Sequence, residues 1–176
     1  MRVRLDQVRH EPFYWQETKE VSAESLDRPE LTRLGPVTWK GQVVYADPGF
    51  LLRARLSYEQ TLTCNRCLAS FPDTVGNDVY LMVFVDRSAA AAGEHELHEK
   101  DMGVFFVPDE ILETEPILIE QLQLNIPMKP LCRPDCAGLC SSCGADLNQT
   151  TCDCPKSVDP RWVGLAALRD RLEDRD

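Results

Sequence analysis

Three segments in the first half of the chain alternate apolar and polar residues with a period of two, which is typical of half-buried β-strands. They are residues 37–45, which precede the turn-forming "ADPG", residues 50–62 and residues 74–86. Short turns between such segments favour antiparallel pairing, so the pattern predicts a β-meander. The residues predicted to share the apolar faces are Val37, Trp39, Val43 and Tyr45, then Leu52, Ala54, Leu56, Tyr58 and Leu62, then Val75, Val79, Leu81, Val83 and Val85.

Downstream, the pattern predicts one more strand and a helix. "VFFVP" at 104–108 is a short strand, and a helix follows at 114–126, with Thr114 as its N-cap and Pro116 in the first turn. The helix carries apolar residues on two sides, which indicates that it is covered from two directions. One stripe contains Leu118, Ile119, Leu122 and Ile126, and the other side contains Ile117 and Leu124.

Two further segments complete the prediction of an α+β fold. Residues 87–103 have small residues, glycine and charges without bulky apolar periodicity, so we expect a long mobile loop. Residues 159–172 predict a second helix, capped by Asp159, that closes the domain or docks on a partner. We expect an antiparallel β domain with a packed helix at 1–127, followed by a cysteine-rich tail at 128–176 that ends in this helix.

The ends and the charge of the chain bear on its location and partners. The N-terminal "MRVRLDQVRHEPF" has no apolar signal region, and no stretch approaches the roughly 18 to 20 apolar residues of a membrane span, so we expect a cytoplasmic protein. The formal net charge is −10. Lys and Arg number 10 against 12 Asp and Glu in 1–86, 2 against 9 in 87–125, and 7 against 8 in 126–176. The middle segment therefore favours a basic partner over bare nucleic acid.

Eight cysteines are the strongest chemical signal in the sequence. Without an export signal, paired thiolates in a reducing compartment indicate metal binding rather than disulfides. The six cysteines of the tail do not divide into tetrahedral sites of four, but the pair in "LTCNRCLAS" brings the total to two complete sets. The predicted ligands of two zinc ions are Cys64, Cys67, Cys132, Cys136, Cys140, Cys143, Cys152 and Cys154.

Two partitions of these ligands are possible. In one, Cys140, Cys143, Cys152 and Cys154 share an ion, because the eight residues between the two pairs can fold both about one metal. Cys64 and Cys67 then join Cys132 and Cys136, and the tail is tied to the sheet. The alternative places Cys132 and Cys136 with Cys140 and Cys143, and Cys64 and Cys67 with Cys152 and Cys154. Reach along the chain favours the first.

Filled four-thiolate shells leave no position for a reactive water, so structural zinc is favoured over catalytic zinc. Basic residues near the ligands offset the thiolate charge or contact phosphate. Two outward arginines on the second predicted strand add to this set. The candidate contacts to a partner or RNA are Arg53, Arg55, Arg66, Lys129, Arg133 and Lys156.

The order of these motifs resembles the YceD family of large ribosomal RNA subunit accumulation proteins. The likeness covers about residues 36–172, through "LTCNRCLASF", "LNIPMKPLC", "CAGLCSSCGADLNQTTCDC" and "DPRWVGLAAL". It implies a role in accumulation or maturation of 23S ribosomal RNA and in assembly of the large ribosomal subunit, without an enzymatic activity. Family members are commonly encoded beside a small basic large-subunit protein, which implies a ribosomal protein or a pre-ribosomal particle as partner. The alternative function is that of a metal-dependent RNA-processing or RNA-modifying enzyme.

Overall fold

The computed structural model describes residues 1–85 and 103–154, together with Arg161. The chain divides into two compact units. The first comprises Met1–Asn65 and the described part of Ala69–Cys132, and the second comprises Arg66–Leu68 and the described part of Arg133–Asp176. No described helix is long and apolar enough to cross a lipid bilayer.

The first unit is built mainly from strands. Its strands are β1 (Arg2–Arg4), β2 (Phe13–Lys19), β3 (Leu31–Leu34), β4 (Val37–Ala46), β5 (Gly49–Thr63), β6 (Ser70–Val85), β7 (Val104–Val107) and β8 (Ile111–Glu113). Its helices are α1 (Leu5–Val8) and α2 (Thr114–Asn125), with a 3₁₀ turn at Ala23–Leu26. Among the described residues, the first unit is therefore a large sheet with a few short helices, which agrees broadly with the predicted α+β class.

Six strands form one sheet in the order β2-β4-β5-β6-β7, with β3 also paired to β5. All pairs in it are antiparallel except β6 and β7, which are parallel. The meander predicted from alternation is β4, β5 and β6, and its first turn contains a cis peptide bond between Asp47 and Pro48. The predicted strand at 104–108 is β7. Strands β1 and β8 form a separate antiparallel pair.

One face of the sheet and helix α2 contribute to a single buried apolar cluster. Trp39, Leu52 and Leu56 of the sheet are fully buried, as are Leu118 and Leu122 of α2. Alternation along β5 places Leu52, Ala54, Leu56, Tyr58 and Leu62 inward, as predicted. The intervening Arg53, Arg55 and Ser57 are exposed, so the opposite face of this strand carries polar groups.

Helix α2 lies where the sequence predicts it, but two details were wrong. The N-cap position is Glu113, and Thr114 is the first helical residue, fully buried, with its backbone N–H donating to the Met1 carbonyl at 3.1 Å. Ile117 is buried beside Leu118, whereas Leu124 is 69% exposed. The helix is therefore covered along one broad stripe, because Leu124 lies in its last turn, away from the core.

Two sequence predictions fall outside the described residues. The loop predicted at 87–103 is described only at Gly103, and the helix predicted at 159–172 only at Arg161. Conversely, the stretch 10–35, for which the sequence analysis predicts no element, contains β2 and β3.

Candidate metal centres

The eight cysteines lie in two groups of four. Cys64, Cys67, Cys132 and Cys136 form the first cluster, and Cys140, Cys143, Cys152 and Cys154 form the second. Within each cluster the sulfur atoms all lie within 4.8 Å of one another. This grouping is the partition that chain reach favours, and not the alternative. Each cluster could hold a metal ion.

A repeated turn positions the first cysteine pair of each cluster. In the first cluster the N–H of Cys64 donates to the carbonyl of Ala69 at 2.9 Å, and Leu68 between them has a positive φ of 59°. Such a φ is unusual for a residue with a side chain. The turn brings the sulfurs of Cys64 and Cys67 to the same side, as two ligands of one metal ion require.

The first cysteine pair of the second cluster, Cys140 and Cys143, lies in a turn with the same hydrogen bond and the same left-handed position. The N–H of Cys140 donates to the carbonyl of Ala145 at 2.8 Å, and Gly144 takes the left-handed position with φ of 73°. The N–H of Gly144 also donates to the Cys140 carbonyl at 2.9 Å. Leu68 and Gly144 are therefore equivalent positions of two copies of one cysteine turn.

The thiols of the second cluster influence one another strongly. Hydrogen bonds from the backbone N–H groups of Cys143 and Ser142 lower the pKa of Cys140 to about 6. In contrast, the hydrogen bond with the Cys143 thiol, followed by burial, raises the pKa of Cys154 to about 12. Four close thiols cannot all ionise at neutral pH without a cation between them, so this set is suited to a divalent metal.

The first cluster is the more buried of the two. Cys64 is 0% exposed, Cys67 8% and Cys136 2%, whereas Cys143 of the second cluster is exposed. Three of the first cluster's four cysteines are thus buried and Cys132 is partly buried, and such burial is typical of structural zinc sites, in which four protein ligands fill the coordination shell. A tetrahedral zinc ion about 2.3 Å from each sulfur needs sulfur–sulfur separations of about 3.8 Å, which compares with an observed upper limit of 4.8 Å within each cluster.

Two arginines near the ligands are engaged in holding the loops of the second unit. Arg66 donates from Nη1 to the carbonyl of Cys136 at 2.8 Å. Arg133 donates from Nη2 to the Oδ1 of Asn148 at 2.8 Å and lies 3.5 Å from the carboxylate of Asp135. These contacts give both arginines a structural role in the loops that carry the cysteines.

Asn148 lies in the loop between Cys143 and Cys152 of the second cluster but contacts the Cys136 loop of the first, and it was not among the residues predicted from the sequence. Its Oδ1 also accepts from the backbone N–H of Ala137 at 2.8 Å, and its Nδ2 lies 3.4 Å from the sulfur of Cys136. Its backbone N–H donates to the Oδ1 of Asp146 at 2.9 Å, which closes a tight turn. The available signal was Asp146 in "ADLN", because an Asp side chain commonly accepts a hydrogen bond from the backbone N–H two residues later and so forms a turn.

The remaining candidate residues are distributed over the two units. Arg53 and Arg55 are exposed on β5 of the first unit, and Arg55 is paired with Asp78 at 3.3 Å. Lys129 is exposed in the first unit, and Lys156 lies outside the described residues.

The acidic segment 87–125 is partly offset where it is described. Three of its carboxylates, those of Glu110, Glu113 and Glu115, lie within 4.0 Å of Arg9, Arg2 and Lys19, respectively. Glu94, Glu96, Glu99 and Asp101 lie outside the described residues.

Comparison with known proteins identifies the family. The sequence model described as "Large ribosomal RNA subunit accumulation protein YceD" matches residues 52–169, which include most of β5, all of β6 to β8 and α2, and all eight cysteines. The chain therefore belongs to the YceD family, as its motifs indicated. The description of this family names an accumulation protein and no enzymatic activity.

Several relatives cover different parts of the chain. An uncharacterised protein of Mycobacterium tuberculosis is 30% identical over 120 residues, 68% of this chain and 56% of its own. A chloroplastic maize protein is 31% identical over 84 residues, 47% of this chain and 27% of its own, and is named "Large ribosomal RNA subunit accumulation protein YCED homolog 1". An uncharacterised protein of Bacillus subtilis is 27% identical over 175 residues, 98% and 95% of the two chains.

The chain spans about half the length of this Mycobacterium tuberculosis relative, 56%. No solved structure matches the chain.

Proposed function

We propose that this protein is a non-enzymatic factor that promotes accumulation of 23S ribosomal RNA and assembly of the large ribosomal subunit. The observation that carries the proposal is the family match over residues 52–169, because it includes both cysteine clusters together with strands β6 and β7 and most of β5. The maize relative's name describes the same process for that protein. An assembly factor of this kind acts by binding, so its surface and its metal-held loops are the functional parts.

The metal in each cluster is zinc, and its role is structural. Four thiolates around each ion satisfy a tetrahedral zinc completely and leave no water position for hydrolysis. Ordering of the loops by metal then presents their backbone and side chains in one conformation, since the free energy of metal binding contributes to folding. The alternative, a metal-dependent RNA-processing enzyme, requires an open coordination site.

The partner is a basic ribosomal protein or a pre-ribosomal particle, met in part through the acidic segment. Residues 87–125 contain nine acidic and two basic residues. Such a segment attracts a basic protein and repels a phosphate backbone. Three acidic residues further along, Glu110, Glu113 and Glu115, already form ion pairs within the described residues, so the test below neutralises Glu94, Glu96, Glu99 and Asp101 instead.

Affinity isolation of the tagged protein from cells at low salt tests the proposal. We expect precursor large-subunit RNA together with large-subunit proteins in the isolated material. Neutralisation of the four acidic residues of 94–101 should reduce recovery of the ribosomal proteins and weaken its dependence on salt. Isolation of a metabolic enzyme complex, or turnover of purified RNA by the metal-loaded protein, would contradict the proposal.

A further inference from the structure

The exposed face of the six-stranded sheet carries a straight row of side chains across four adjacent strands. Tyr14 of β2 is opposite Gln42 of β4, Gln42 is opposite Arg53 of β5, and Arg53 is opposite Tyr80 of β6. Residues directly opposite one another project to the same face of a sheet. The row therefore begins and ends with a tyrosine and has an arginine between them.

A second row lies two residues further along the strands, about 7 Å away. It consists of Gln16, Lys40, Arg55 and Asp78, paired in that order. Arg55 and Asp78 lie 3.3 Å apart and offset each other. Together the two rows line a shallow depression on the sheet. We call these two rows the aromatic–basic face.

The tyrosines of this face are unusually open to solvent. Tyr14 and Tyr80 are each 65% exposed. Three strand spacings of about 4.8 Å separate them, which places them about 14 Å apart. Aromatic rings are usually buried for their large apolar area, so two such rings at the ends of one polar row are positioned to contact a ligand.

The cations of this face are available for a negatively charged ligand. Lys40 and Arg53 are exposed, and neither forms an ion pair within the described part of the chain. The only carboxylate of the two rows, Asp78, is already paired with Arg55. The face therefore has a local positive charge although the whole chain has a net charge of −10.

We propose that the aromatic–basic face binds single-stranded RNA, with unstacked bases on Tyr14 and Tyr80 and the intervening phosphates at Arg53 and Lys40. Exposed rings joined by cations on a sheet are suited to single strands, because each base offers a flat face for stacking and each phosphate a charge. A duplex hides its base faces and cannot use the rings. The inference rests on the proposed function and specifies the RNA contact within it.

Binding of a fluorescently labelled single-stranded hexauridylate to the purified zinc-loaded protein tests this site. Tyr14→Leu and Tyr80→Leu should each weaken binding about 5-fold to 100-fold, since stacking on a ring is lost, whereas Tyr80→Phe keeps the ring and should stay within about twofold of wild type. Arg53→Gln should reduce the slope of log affinity against log salt by about 0.7, the value for one phosphate of a single strand.

Arg33→Gln is the matched control, because it removes the same charge from a different strand, β3. Arg33 is paired with Thr61 of β5. Thr61 lies eight residues from Arg53 along β5, or about 27 Å. This control should leave the affinity within about twofold of wild type. A duplex of the same length should bind weakly and respond to neither tyrosine change. Equal binding of the hexanucleotide by wild type and both leucine variants would overturn the inference. It would also be overturned if the leucine variants kept their RNA binding but no longer bound a basic ribosomal protein.

The outcomes for the two proposals are separable. A protein that copurifies with pre-ribosomal particles but does not bind the hexanucleotide overturns the RNA site alone. A protein that binds the hexanucleotide through both tyrosines but copurifies with no pre-ribosomal particle overturns the proposed function alone.

Discussion

Replacement of Asn148 by alanine should weaken metal binding at the first cysteine cluster, although Asn148 lies in the loop of the second. The carboxamide accepts hydrogen bonds from Arg133 and from the N–H of Ala137, both at 2.8 Å, and its nitrogen lies 3.4 Å from the sulfur of Cys136. Alanine removes all three contacts. The Cys136 loop then loses the group that orients its sulfur.

The structure allows the size of this effect to be bounded. Loss of a residue that orients a metal ligand reduces metal affinity about 10-fold to 100-fold, or about 1.4 to 2.7 kcal/mol. The N–H of Ala137 belongs to an exposed residue, so water replaces the lost acceptor and no buried donor is left without a partner. We therefore expect the lower end of the range, about tenfold.

Transfer of zinc to a competing chelator measures the affinity. A Cys152→Ser background disables the second cluster, so the remaining zinc reports on the first, and Asn148→Ala should release it about tenfold more readily. Gln149→Ala is the control, because the exposed Gln149 side chain donates to the Asp146 carboxylate at 2.9 Å and forms no hydrogen bond with a cysteine in the described residues. Identical release from both variants would refute the role of Asn148.

Three further predictions concern stability, each measured by urea denaturation. Burial raises the pKa of Tyr58 to about 12, so its contribution to stability is complete below pH 10 and is lost as the pH rises toward 12. Over that range wild type should lose about 1 to 2 kcal/mol more than Tyr58→Phe, and an equal loss in the two proteins would contradict this. Gly41→Ala should lower the free energy of unfolding by about 1 to 3 kcal/mol, because its Cβ would lie 2.7 Å from Trp15, whereas Gly76→Ala has ordinary contacts and should not. Leu68→Gly should raise it by up to about 1 kcal/mol, since Leu68 is 63% exposed and has a positive φ; a loss would contradict that reasoning.

The meander was predictable because each of its strands has one apolar face. Strand β5 shows this from Leu52 to Leu62, where the buried Gln60 is the one polar residue on the inward face. Strand β2 was not predicted because the alternation stops at Glu17 and Lys19, which share the face of Trp15 and lie 3.8 Å apart. A partly buried ion pair on the inner face of a strand breaks the pattern of period two on which the prediction depends.

Strand β6 extended beyond its predicted start for a different reason. It begins at Ser70 and includes Pro72, which pairs with Thr61 of β5. The described pairing of β6 with β7 involves only 82–85, so among the described strands Pro72 has a neighbour on one side, and its missing N–H is not needed on the other. Sequence alone does not show which part of a strand is an edge.

The cysteine clusters were predictable as sets, and the residues that orient them were not. Four ligands a site and the short connection between Cys143 and Cys152 favoured the observed grouping over the alternative partition. Asn148 and the aromatic–basic face depend on which residues fold next to one another. Tyr14 and Tyr80 are 66 residues apart in the chain, and they lie in one row only because of the register of the four strands between and including their own.

Native mass spectrometry of the reduced, purified protein tests the central claim of two four-cysteine metal centres most directly. The mass should correspond to the chain plus two zinc ions, with loss of one ion in each of the single variants Cys64→Ser and Cys152→Ser. A mass with one zinc ion, or with iron and sulfide, would contradict the assignment.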